Sequence, residues 1–350
     1  MKTHNLEILF RCDGSSTIGI GHVMRCLALA DEFRSVHHME SGFALRQDRS
    51  GAALIDKSNY PVLFPPDSTS FDYEEWLRNM VRRTDTQALI LDVRDDLPTS
   101  ALRELSKSGT ALITIDDPSD RRMFADLAFY PPVPQVSRMD WTDFAGRLFT
   151  GWDWIPLRRD LAGSFVDPLV SDNPKILVTT GGADSAGMAP KIANFLDKVD
   201  RPFRAVFVAG PAFQHGSELE KAVADAKHDL SIEKNPQRLP DLMAGADLAV
   251  ASFGVTAYEL AALGVPTLYL CLTTDHQESA SAFVDEGIGI SLGLFSEVDG
   301  EKFRRELSRL LDSFELRHTM SHRGREIVDA RGTSRISQVI VEYLKMRSET

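Results

Sequence analysis

Two runs constrain this chain more than any other feature: Ala88-Leu89-Ile90-Leu91-Asp92 and Ala111-Leu112-Ile113-Thr114-Ile115-Asp116. Each is apolar without alternation and ends on an acid. A run with no polar face cannot lie half in water. It suits a parallel strand covered by helices on both sides, with the acid at the carboxyl end. Leu6 to Cys12 reads the same way, and a Gly/Ser loop then leads into an apolar-periodic helix from about Val23 to Phe33. Gly42 to Leu45 is a further short strand. Helical segments separate these runs, so the first half reads as β–α units.

The pattern breaks at Tyr130-Pro131-Pro132-Val133-Pro134 and again at Asp167-Pro168 and Asp172-Asn173-Pro174, with the aromatic stretch Gly151-Trp152-Asp153-Trp154 between them. It then restarts. Strands are expected at Lys175–Thr180, Ala205–Ala209, Asp247–Ala251 and Thr267–Cys271, with helices from about Thr256 and about Gln277. At 350 residues the chain is longer than one hydrophobic core usually holds. The expectation is an α/β chain of two Rossmann-like domains, 1–155 and 174–330, joined by a connection at 156–173. The helical tail from about Gly300 caps the second domain, and its last part, 331–350, crosses back to the first.

A net charge of −12 argues against non-specific nucleic-acid binding, which needs a basic surface. A pocket of backbone N–H groups can still hold a phosphorylated small molecule. No apolar run approaches the ~20 residues of a membrane span. The N-terminal residues do not read as a signal peptide. Cys12, Cys26 and Cys271 are odd in number and widely spaced, which points to a reducing cytoplasm. No His/Cys cluster has metal spacing. Neither a G-x-S-x-G elbow nor a G-x-x-x-x-G-K-[ST] loop is present, which disfavours serine hydrolases and P-loop kinases.

Ligands of doubly wound sheets bind beyond the carboxyl ends of the strands, and four such loops here carry unusual residues. The first, Asp13 to Arg25, holds Gly14, Gly19 and Gly21 before His22. Glycine lets the backbone approach a ligand closely. At a helix start the dipole favours a neutral imidazole, so His22 is available as a base; a tight turn capped by histidine is the other reading. Arg25 would hold either Asp13 or a substrate anion. The second loop, Thr179 to Asp184, offers Gly181 and Gly182 to a diphosphate, or is an ordinary turn. The third, Ala251 to Glu259, places Ser252, Gly254, Val255 and Thr256 ahead of Glu259. Glu259 is expected on the first helical turn, where its oxygens would suit a ribose diol or serve as a plain terminal charge. The fourth, Leu272 to Gln277, adds His276 and Gln277. The pair Asp116-Asp117 reads as a strand end, and His37-His38, His318 and His322 as solvated surface.

Taken together, these residues resemble a known family. Arg11-Cys12-Asp13, Gly19 to Arg25, Ile115-Asp116-Asp117, Gly151 to Arg158, Gly181 to Asp184, Phe253 to Pro266, Gln277 and Asp329 to Arg335 occur in its order along nearly the whole chain. The family is that of the pseudaminic-acid-pathway UDP-sugar hydrolases and spore-coat polysaccharide proteins, itself similar to MurG-type GT-B glycosyltransferases. The resemblance implies a GT-B fold in which a UDP-sugar lies in the cleft between the domains. His22 would be the base that activates water. Asp13, Gly19, Gly21, Arg25 and Asp92 would lie on the sugar side. Gly181, Gly182, Ser252, Gly254, Val255, Thr256, Glu259, His276 and Gln277 would lie along the nucleotide. It implies hydrolysis of a UDP-linked amino-deoxy sugar with no metal and no cofactor. Sugar transfer to an acceptor and catalytically silent nucleotide-sugar binding are the alternatives. The chain departs from the family where Asp92-Val93-Arg94 replaces Asp-His-Tyr and where His276-Gln277 replaces Asn-Gln. Arg94 is either a surface residue or a partner for an anionic substituent.

Overall fold

The structure, a computed structural model, describes residues 5–14, 19–46, 49–66, 71–163 and 171–349. Ser15 to Ile18 of the first loop and the break at Asp167-Pro168 lie outside them. The described chain clusters into two compact units. One runs to Arg159 and resumes at Arg331, and the other is Asp160–Ala330.

The first unit holds β1 (Ile8–Cys12), β2 (Ser41–Ala44), β3 (Val62–Leu63), β4 (Ala88–Asp92), β5 (Ala111–Ile115), β6 (Leu127–Tyr130) and β7 (Arg147–Thr150), in the order β3-β2-β1-β4-β5-β6-β7. The second holds β8 (Lys175–Thr179), β9 (Arg204–Ala209), β10 (Asp229–Lys234), β11 (Leu248–Ser252), β12 (Thr267–Cys271) and β13 (Gly289–Leu294), in the order β10-β9-β8-β11-β12-β13. Neighbouring strands are parallel in both sheets. The chain is therefore α/β with two Rossmann-like sheets. β1, β4, β5 and β12 are buried along their whole length, as unalternating apolar runs require.

Each sheet starts at an interior strand, winds outward one way, then returns to wind the other. The order reverses between β1 and β4 in the first unit and between β8 and β11 in the second. Successive loops diverge there and leave a crevice at the carboxyl edge. The sequence therefore makes the same kind of place twice.

The last helix, Gly332–Ser348, packs into the first unit's core, where Ile336 and Ile340 join Ile8, Phe10 and Phe33 with no exposure. Gly332 is required at its start. A Cβ there would lie 2.1 Å from the carbonyl oxygen of Ile155. Thr333 Oγ1 donates to the carbonyl of Leu157 at 2.5 Å, and Tyr343 OH donates to Asp126 Oδ1 at 2.5 Å.

Candidate functional site

In the first unit the β1/β4 crossover is occupied by charge. Gly19, at φ +78°, turns the chain before the helix Gly21–Val36, which starts without a side-chain cap. His22, Arg25 and Cys26 are spaced i, i+3 and i+4 on that helix, so one face presents all three. Asp92, the last residue of β4, stands in register with Cys12 of β1 and meets that face. His22 Nδ1 lies 2.6 Å from Asp92 Oδ1. Arg25 Nε and Nη2 donate to Asp92 Oδ2 and Oδ1 at 2.5 and 2.6 Å in a bidentate pair. Cys26 Sγ donates to Oδ2 at 3.7 Å.

This geometry sets the imidazole's orientation and its tautomer. Burial alone would raise the Asp92 carboxyl, but Arg25, and after it His22, holds it well below the usual carboxylate range. An ionised carboxylate only accepts, so Nδ1 is the ring nitrogen that donates to it, and whenever the ring is neutral the lone pair is on Nε2. Among the described residues Nε2 makes no hydrogen bond. Arg25 is kept charged in the same exchange: burial opposes it, and Asp92 more than compensates. The pair is dry, with Asp92 and Arg25 side chains 1% and 9% exposed, while His22 is 17% exposed.

One expectation is corrected here. Arg25 holds Asp92 and reaches Asp116 at 3.4 Å; it does not hold Asp13. Asp13 instead accepts from Arg11 Nη2 at 2.5 Å and from the Arg46 backbone N–H at 2.9 Å. Arg11 and Asp13 are two apart on an extended strand and face the same way. Asp92, expected beside the sugar, has both oxygens engaged and is buried beneath His22. Its position suits orienting the ring more than touching a ligand.

Sequence reasoning set aside Asp116 and left Arg94 open. Asp116 follows β5, whose partner is β4, and accepts from Arg94 Nη2 at 2.9 Å while facing Arg25. Its neighbour Asp117 turns the other way, accepts from Arg121 Nε at 2.9 Å and is buried. A second network was also missed: Arg11, fully buried, donates to Tyr73 OH at 2.6 Å and to Asp95 Oδ2 at 2.7 Å. Strand adjacency is the signal for Asp116. The acid ending a strand next to β4 must lie along the same edge.

In the second unit the equivalent crossover is almost bare of side chains. Gly181, at φ +84°, leaves β8, and a Cβ there would meet only Ser252 Oγ, at 3.8 Å. The loops after β8 and β11 thus lie side by side. A Cβ on Gly182 would meet nothing within 4 Å. Gly254 is the N-cap of the helix Val255–Ala262 and supplies no side-chain cap, so the first N–H groups, at Val255 and Thr256, lack an intrahelical acceptor and a side-chain cap. The loop is anchored beneath by Phe253, which packs edge-on to Tyr269 and Phe283 at 5.5 and 5.2 Å.

Two local readings shift. The helix starts at Val255, so Glu259 is its fifth residue and no acid stands in its first turn. The next helix is Thr274–Asp285, with Thr273 as N-cap accepting from the His276 N–H at 3.2 Å. His276 and Gln277 are therefore in its first turn and not in the loop. Thr273 followed by Asp275 was the available capping signal.

No family model matches the chain. It is similar to the spore coat polysaccharide biosynthesis protein SpsG of Bacillus subtilis (strain 168), with 23% identity over 333 residues, 94% of this chain and 96% of that protein. In structure it is similar to MurG of Acinetobacter baumannii, with a TM-score of 0.72 at 15% identity, covering 96% of this chain and 99% of that one. It is also similar to the UDP-GlcNAc 2-epimerase from Neisseria meningitidis bound to UDP-GlcNAc, with a TM-score of 0.63 at 11% identity, covering 96% and 100%. The GT-B fold and the likeness to spore-coat polysaccharide proteins, both expected from the motifs, are found.

Proposed function

We propose that the chain hydrolyses a UDP-linked amino-deoxy sugar at its anomeric carbon, releasing UDP and the free sugar for surface-polysaccharide or nonulosonic-acid synthesis. The observation that carries this reading is His22. Its Nδ1–H donates to Asp92, so in the neutral ring the lone pair is on Nε2, which makes no hydrogen bond among the described residues. A base held in that way can take a proton from water as the water attacks, a step that contributes ~100- to 10,000-fold. The nucleoside diphosphate leaves readily, so the paired carboxylates of ordinary glycosidases are not required. Gly181, Gly182 and the uncapped start of Val255–Ala262 supply backbone donors for the departing diphosphate. Glu259, with Ser252, Thr256, His276 and Gln277, is assigned to the nucleoside. The enzyme bound to UDP-GlcNAc, similar in fold, supports a UDP-sugar as ligand.

Transfer to an acceptor is the second reading, favoured by the likeness to MurG. Incubation with UDP-sugars and no acceptor separates the two. Hydrolysis predicts UDP and free sugar in equal amounts. UDP release that begins only when a sugar, lipid or protein acceptor is added would make the chain a transferase.

A further inference from the structure

Among the described residues, Arg94 is the one cation of the His22 cluster with room for a ligand. It lies two residues beyond Asp92 on the same strand end. Its side chain is 38% exposed, whereas those of Arg25 and Asp92 are nearly closed off. Asp116 fixes it by a single hydrogen bond, from Nη2 at 2.9 Å. Among the described residues Nε and Nη1 have no partner, so most of the guanidinium fork remains to donate. Asp116 is itself fixed, as its Oδ2 is shared with the buried Arg25 and its backbone sits at φ +53°. A planar cation held along one edge and open along the other matches a carboxylate, whose two oxygens accept side by side.

We propose that Arg94 is a specificity-determining residue that reads a carboxylate on the glycosyl group, so that the preferred donor is a nucleotide-linked acidic sugar. The inference rests on the nucleotide-sugar reading above and adds the sugar's charge to it. An acetamido group elsewhere on the ring is compatible with it. Arg94 takes no part in bond breaking. It places the ring beside His22 through a bidentate hydrogen bond, and Asp116 keeps it aimed.

The test uses matched donors that differ only at C6: UDP-glucose with UDP-glucuronate, and UDP-galactose with UDP-galacturonate. Each competes for the full-length protein against UDP, and turnover is measured in parallel. In wild type at least one uronate should bind ten-fold or more tightly than its neutral partner. Arg94→Gln should lower that acid-to-neutral ratio at least ten-fold. Arg94→Lys should restore only part of it, because an ammonium keeps the charge without the fork. Equal binding of both members of each pair in wild type, or an equal loss on both in Arg94→Gln, would overturn the assignment while leaving the nucleotide-sugar reading in place. Failure of UDP itself to bind would overturn both.

Discussion

The two units use the same strand order and put opposite chemistry at the crossover. In the first, β4 ends on Asp92 and Asp13 follows β1, and Arg25 and Asp92 are buried with His22 against them. In the second, the loops after β8 and β11 bring glycine and a helix start, and the groups offered are backbone N–H. The contrast separates what topology supplies from what residues supply. Winding order makes a crevice, and the side chains decide whether it can move a proton or hold an anion. A charged centre must be locked in place, because an unpaired buried ion is costly. A backbone centre needs only room and an N-terminus left uncapped.

The sharpest way to break the contrast is to remove the lock. Asp92→Ala leaves Arg25 buried without its bidentate partner and should destabilise the first unit by about 3–5 kcal/mol. All four tryptophans, Trp76, Trp141, Trp152 and Trp154, lie in the first unit, so tryptophan emission during denaturation follows that unit. A loss below about 1 kcal/mol would mean that Arg25 finds other partners and that the pair is not a lock.

A mirrored pair of substitutions tests the division of labour. His22→Asn should cut turnover at least ~100-fold and leave UDP affinity nearly unchanged, because it removes the base alone. Glu259→Ala should weaken UDP binding by about 1–3 kcal/mol, as for a lost charged hydrogen bond. Calorimetry and product release read the two separately. If His22→Asn loses UDP affinity as steeply as turnover, the nucleotide contacts the first unit and the division fails.

Acid should act on the two units with opposite sign, and this is the smallest effect. The Asp92 carboxyl is held below its ordinary value, so its contribution is complete above ~4 and fades as pH falls toward the folded value. Asp184 in the second unit is raised, burial outweighing the N–H groups of Ala189 and Met188 that it accepts from. The fold there favours the protonated form, so stability rises as pH falls from that raised value to ~4 and is constant below. The stability gap between wild type and Asp92→Ala, read from tryptophan, should narrow on acidification. The gap between wild type and Asp184→Asn, read from exchange of β8 and β11 amides, should move in wild type's favour. Two gaps moving together would refute the assignment of locks to units.

Much of the scaffold was legible because apolar runs without alternation have few other uses. β4 and β12 occur as read, and helix Gly21–Val36 contains the segment read from Val23 to Phe33. The strands missed are those that the signal describes poorly. β3 is two residues long, β6 abuts Pro131, β10 and β7 are edge strands that are largely exposed, and β13 is an edge strand buried at only two of its six residues. His22 and the glycine loops were legible as types at loop positions. Their partners were not. His22 meets Asp92 across 70 residues, and only the strand order shows that β4 is β1's neighbour. Asp13 is the nearer acid in sequence, and the alternation of β1 turns it with Arg11. Arg94 and Asp116 become a pair for the same reason, through β4 and β5.

The final helix has a consequence for how the molecule is made. The second unit is complete once Ala330 has been synthesised, whereas the first still lacks Ile336 and Ile340 from its interior. His37 reaches Ser337 at 3.0 Å, a contact that closes a span of 300 residues. A chain emerging from the ribosome would therefore begin with His22 and finish its surroundings last, holding an open core while a whole neighbour folds. Damage to the tail would fall on the unit that holds His22 and spare the other.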